Sequence, residues 1–184
     1  MTESVPARTW THVDLVPYDP RWPLRFARTA RELREVLSGA RIEHVGSTSV
    51  PGMASKDTID TAVGVTDVDG VLSPAVLSRL AERGFVHRPR SFAENPDHAF
   101  FVRIVGDRRT DHVHIMREGS PTFRDLILFR DHLRAHPAAA AEYMRIKQGL
   151  AARFADRRAE YVAQKTLFVD ALMRRVRDAH GVVE

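Results

Sequence analysis

Residues 46–52, Gly-Ser-Thr-Ser-Val-Pro-Gly, form a segment that neither a helix nor a central strand can cross. Glycine at each end favours a turn, proline removes a backbone donor, and three hydroxyls compete for the main chain's own hydrogen bonds. The segment therefore reads as a tight polar loop. β-Rich runs flank it, Arg41 to Val45 before and Thr58 to Val65 after, so the local order is strand, loop, strand.

The rest of the chain is arranged around that unit. Residues 14–23 hold three prolines and read as an extended entry and a turn. From Leu24 to Leu37 the apolar residues Leu24, Ala27, Ala30, Leu33 and Leu37 recur at helical steps, and Gly39 stops the helix. Ser73 to Arg83 predicts a second helix with Ser73 as N-cap and Pro74 at its first position, followed by a strand at Phe85 and Val86. Ala99 to Val105 and His112 to Met116 predict a hairpin with residues 106–111 as a longer loop. Helices follow over 122–135, 138–154 and 156–177, with Pro137 dividing the first two. The expected class is α+β: a small mixed β-sheet flanked by helices, with a helical C-terminal third, in a single domain over residues 1–184.

Composition narrows the function classes. With no Cys, the 184-residue chain has no disulfide, thiolate nucleophile or Cys-based metal site, so any metal must use His, Asp or Glu. No apolar stretch is long enough to span a membrane, and Met1 to Thr9 lacks a hydrophobic signal core, so a cytoplasmic protein with no membrane partner is expected. The net charge of +4 arises from basic residues spaced among acids without interleaved aromatics, a pattern that argues against nucleic acid as a partner. Of the 28 basic residues, Lys56, Lys147 and Lys165 are the lysines. Each is a place where a compact, flexible charge replaces the planar guanidinium fork.

The chemistry points to the loop. Gly46 permits close approach of a phosphate, while the hydroxyls of Ser47, Thr48 and Ser49 and the nearby N–H groups supply donors. A helix opening after the loop would add its positive end. Asp60 lies thirteen positions after Ser47 on the next strand, where it would hold a divalent cation against that phosphate. The arrangement resembles the nucleotidyltransferase superfamily, whose pattern is a hydrophobic residue, Gly, Gly or Ser, a spacer, and paired acids on a strand. Val45-Gly46-Ser47 and Asp60 match it, but the second acid's position holds Ala62. Asp57 precedes the strand and reads as a solvated loop acid.

A more extensive resemblance runs over residues 14–170. Leu15-Val16-Pro17-Tyr18-Asp19-Pro20-Arg21-Trp22, residues 42–52, residues 60–65, His112-Val113-His114 and residues 129–137 are similar to motifs of the GrpB family, known also as a domain appended to some bacterial dephospho-CoA kinases. The resemblance implies a nucleotidyltransferase-like fold. All three lysines fall at family motif positions, and Asp57 stands where the family usually has proline. The implied function is binding of a nucleotide or phosphorylated metabolite, with metal-dependent nucleotidyl transfer as its enzymatic form. In that form Asp60 and Ser47 would be catalytic, and Gly46, Ser47, Thr48, Ser49, Lys56, Arg103, Lys147 and Lys165 would bind the ligand. Two alternatives stand beside it: a non-catalytic regulatory binding module, and a metal-dependent hydrolase. His112 and His114 share a strand face and with Asp60 are candidate ligands for a metal, Mg or Mn in the transferase reading and Zn if both imidazoles coordinate. His44 reads as structural, and Arg124 and Arg130 as exposed arginines.

Overall fold

A computed structural model describes residues 12–179. The stretch Met1 to Thr9, read above for a signal core, lies outside them. The described chain divides into two compact units, residues 16–140 and residues 12–15 with 141–179.

The first unit is built on five strands: β1 (Arg41–Val45), β2 (Ile59–Val65), β3 (Phe85–His87), β4 (His98–Val105) and β5 (Arg108–Arg117). Their order in the sheet is β1-β2-β5-β4-β3. β2 and β5 run parallel and the other pairs antiparallel, which makes the sheet mixed.

Side-chain alternation divides the sheet into two faces. On one, Ile42, Val63, Val113, Ile115, Phe101 and Phe85 pack with Ala30 and Leu33 of α1 (Trp22–Val36) and Leu80 of α3 (Pro74–Glu82). Removing each large side chain there from water contributes about 1.5–3 kcal/mol. On the other face Val45, Ala62 and Met116 pack with Phe123 of α4 (Pro121–Ala135). Helix α4 starts where sequence predicts, because Ser120 accepts a hydrogen bond from the Phe123 amide and Pro121 has no amide to leave unpaired.

Two local expectations change. The hairpin has a tight turn at Gly106-Asp107, and Arg108 to Asp111, read as loop, extend β5 with partners on β4. Along this strand end burial increases from the exposed Arg108 through Arg109 and Thr110 to the buried Asp111. A four-residue helix, α2 (Val68–Val71), precedes α3 and is started by Asp67, whose carboxylate accepts from the Gly70 amide.

The second unit carries all but the first four residues of α5 (Pro137–Arg153), and α6 (Arg158–Ala179). Tyr143 and Phe168 stack with ring centroids 5.9 Å apart, and Val13, Phe154 and Tyr161 form a small apolar cluster. Burial pushes the Tyr161 hydroxyl's pKa above the ordinary phenol range. No described helix is long and apolar enough to cross a membrane.

Candidate functional site

The loop after β1 is held from below by two arginines of α4. Arg134 donates to the Ser49 carbonyl at 2.9 and 2.7 Å, and Arg130 donates to the His44 carbonyl at 3.0 Å and to Glu43 at 2.7 Å. Arg130, read as exposed, is thus buried and clamps the loop's base. Residues 47–49 form a single 3-10 turn, too short to supply the helix dipole expected there. Gly46 has φ of 69°, and a Cβ on it would lie 2.5 Å from Asp60 Oδ2. The glycine therefore serves backbone conformation and carboxylate seating together.

The three loop hydroxyls differ in what they face. Thr48 is buried and shares a 3.0 Å hydrogen bond with His44 Nε2, and Ser49 donates to the Gly46 carbonyl at 2.6 Å. Both were expected to donate to phosphate; both are engaged in holding the loop's own shape. Ser47 is half-buried, and its hydroxyl has no hydrogen-bond partner among the described residues. His44 faces the core as expected, stacked on Phe26 at 4.6 Å, and burial lowers its pKa to about 4.

Asp60 is paired with His112 across the parallel β2–β5 register, and His112 Nδ1 lies 3.0 Å from Asp60 Oδ1. Burial acts to raise the Asp60 carboxyl, but the hydrogen bond from His112 and nearby positive groups, Lys56 among them, outweigh it and hold the pKa at about 2. The ionised carboxylate can only accept, so Nδ1 carries the proton. One pair further along, Ala62 lies opposite His114. His114 Nδ1 meets His98 Nε2 at 3.0 Å, and burial lowers the His114 pKa to about 3, so the ring is neutral near pH 7. Phe92, whose φ of 60° is rare for a bulky residue, stacks on His98 at 4.2 Å and meets Phe100 and His114 edge-on.

Arg103 points to the opposite sheet face, where it donates to Asp111 at 2.9 Å, to Thr29 at 2.6 Å and to Glu32. Its place in the ligand set is corrected: alternation puts it with Phe101, and a buried carboxylate fixes it there. Asp57 is also corrected. It accepts from Trp22 Nε1 at 2.8 Å, from Arg25 and from Arg108, and so ties α1 to the start of β2. Lys147 and Lys165 lie in the helical unit, Lys147 buried with its Nζ 5.2 Å from the Tyr143 ring centre.

The donor set does not fit the expected metal. Asp60 and His112 are bonded to each other, His114 is bonded to His98, and no three His, Asp or Glu side chains converge among the described residues. Ala62 is fully buried with Val45, Met116 and Phe123, so the second-acid position is part of an apolar cluster under α4. A carboxylate there would be desolvated without a partner. The assignment of Asp60, His112 and His114 to one metal is corrected on this geometry. Sequence reasoning also passed over Arg134, His98 and Phe92. The arginine's signal was its place in the 129–137 motif, whereas nothing local marked the other two.

A family model described as GrpB protein matches residues 12–175. The chain belongs to the GrpB family. A "UPF0157 protein" of Deinococcus radiodurans is 35% identical over 91% of this chain and 84% of its own length. A "Dephospho-CoA kinase" of Mycolicibacterium paratuberculosis is 34% identical over 88% of this chain, which spans 46% of that protein. The crystal structure of GrpB from Enterococcus faecalis superposes with a TM-score of 0.80 at 25% identity, covering 91% of this chain and 99% of that one. The Cid1 poly(U) polymerase superposes with a TM-score of 0.52 at 12% identity over 76% of this chain and 45% of its own, a likeness of fold. The GrpB fold is thus α+β and nucleotidyltransferase-like.

Proposed function

We propose that this GrpB protein binds a nucleotide or another phosphate-bearing metabolite at the β1–β2 loop, as a binding module. The observation that carries the reading is the Ser47 hydroxyl, half-buried and unpaired among the described residues, on a loop that Gly46, Arg130 and Arg134 hold open beside Lys56. A hydroxyl fixed in a rigid loop is a ready donor to an anion's oxygen. The negative charge of Asp60 is answered by His112 and Lys56, which lessens its repulsion of an anion in the loop.

Binding is favoured over metal-dependent transfer because the acid at 60 has no companion at 62 and is itself bonded to His112. The kinase-named relative, about half of which this chain matches, supports a module that works beside a phosphotransferase. The test is thermal shift and calorimetry with ATP, GTP, CTP, UTP and inorganic triphosphate on wild type and Ser47→Ala. Saturable stabilisation that weakens at least tenfold in Ser47→Ala is expected. Undiminished binding by Ser47→Ala would move the ligand elsewhere. Transfer of label from any of these nucleotides, abolished in Asp60→Ala, would restore the transferase reading.

A further inference from the structure

Four buried side-chain polar atoms have no hydrogen-bond partner among the described residues: Thr61 Oγ1, Arg88 Nε, Arg109 Nε and His112 Nε2. Three have ordinary explanations. Thr61 alternates onto the face covered by α1, beside His44, and each arginine keeps four further N–H donors. His112 is different. Its Nδ1 proton is given to Asp60, its side chain is 13% exposed, and its second nitrogen lies on the loop's own sheet face. A buried nitrogen left without a partner is unfavourable. An imidazole seated so firmly by a carboxylate has a fixed direction in which to meet something else.

We infer that His112 Nε2 is a ligand contact, reading a hydroxyl on the sugar or polyol part of the phosphate ester whose phosphate is held at Ser47. The inference rests on the phosphate-site reading above and adds the second half of the ligand. Three observations support a hydroxyl. It is amphoteric, so it donates to a neutral imidazole and accepts from a protonated one, whereas a phosphate oxygen suits only the latter. Val45, Asp60 and His112 occupy one row across three adjacent strands. Strand spacing then puts His112 roughly 10 Å from the strand that ends in the loop, the reach of a phosphate with its sugar attached. Finally, Phe100 lies beside the ring, with centroids 5.4 Å apart, and shields the contact from bulk water. Asp60 in this arrangement is a positioning residue that selects the tautomer of His112.

The test uses the full chain and matched probes. In wild type, ATP is expected to bind at least tenfold more tightly than 2′,3′-dideoxy-ATP by calorimetry, with the same ratio for ribose 5-phosphate over its 2,3-dideoxy analogue. In His112→Phe the ratio falls to one, and because the lost partner of Asp60 acts on both members of each probe pair alike, the ratio is read independently of any change in inorganic triphosphate affinity; His112→Gln, which still offers an acceptor and a donor, retains part of the ratio. Nitrogen-15 spectra of the free wild-type protein are expected to show the Nδ1–H form of His112, and Asp60→Asn to shift the tautomer balance. Equal binding of hydroxyl and dideoxy probes by wild type, or an Nε2–H tautomer in the free protein, overturns the inference and leaves the phosphate site standing. Loss of inorganic triphosphate affinity in His112→Gln equal to that of ATP makes His112 a phosphate reader and overturns it too. If wild type binds none of the probes, inorganic triphosphate included, the phosphate-site reading fails and the inference with it.

Discussion

The two faces of the sheet treat their charged residues in opposite ways. Under α1, Arg103 is enclosed by Asp111, Glu32 and Thr29, and the Asp111 carboxylate also accepts from Thr110, so the group is closed upon itself. Burial alone would raise the Asp111 carboxyl, but hydrogen bonds from Arg103 and Thr29 hold it below the ordinary range. On the loop's face, Asp60 fixes one nitrogen of His112 and leaves the other unmet, and Ser47 presents a hydroxyl that nothing described answers. Both faces contain a basic group seated by an aspartate. What separates architecture from recognition is whether the hydrogen-bonding capacity is exhausted inside the fold.

That contrast can be broken most forcefully at Arg103. Arg103→Ala leaves Asp111 buried without its cation and is expected to cost about 3–5 kcal/mol in urea unfolding, with nucleotide affinity of the folded fraction unchanged. A cost below 1 kcal/mol would mean the closed face is not closed. Next is acid. His44 titrates near 6.5 when unfolded and near 4 when folded, so between these values the unfolded state holds more protons and stability falls as pH is lowered. The full shift is on the order of 3 kcal/mol. His114, at about 3, acts in the same direction. His44→Gln is expected to reduce the difference between unfolding curves at pH 7 and pH 4.5 without removing it.

Gly46→Ala comes third. Its positive φ and the Asp60 oxygen beneath it predict a loss of about 1–3 kcal/mol and, unlike Arg103→Ala, a displaced Asp60 and weakened ATP binding. The smallest effect on folding belongs to Ser47→Ala, expected to change stability by less than about 0.5 kcal/mol while weakening triphosphate binding at least tenfold. A large stability loss there would mean that its hydroxyl is architectural, and the contrast between the faces would lose its sharpest member.

Much of the fold was legible because its signals are local. The loop is specified by Gly46, Pro51 and Gly52, α1 by its apolar period, and α4 by Ser120 and Pro121. Asp60 was legible from its spacing to Ser47. What sequence could not supply was register. The partner of Asp60 is decided by β2 pairing in parallel with β5, a long-range choice that no local pattern encodes. For the same reason His112 and His114 read as a chelating pair on one strand face, whereas each is engaged by a neighbour from a different strand. Arg103 and Asp57 were misread because a lone charge looks the same in sequence whether water or a buried counterion awaits it.

The sites at 60 and 112 are joined by one hydrogen bond across 52 positions of chain, through the sheet's one parallel pairing. During synthesis, the segment up to Val65 can form its antiparallel hairpin with β1 soon after it emerges, yet the histidine arrives only with β5. Closing a loop of that length is among the slower steps available to a small domain. A ribosome-bound chain halted before residue 108 therefore carries the glycine–serine turn and a lone aspartate, but neither the histidine that pairs with that aspartate nor the α4 arginines that clamp the turn.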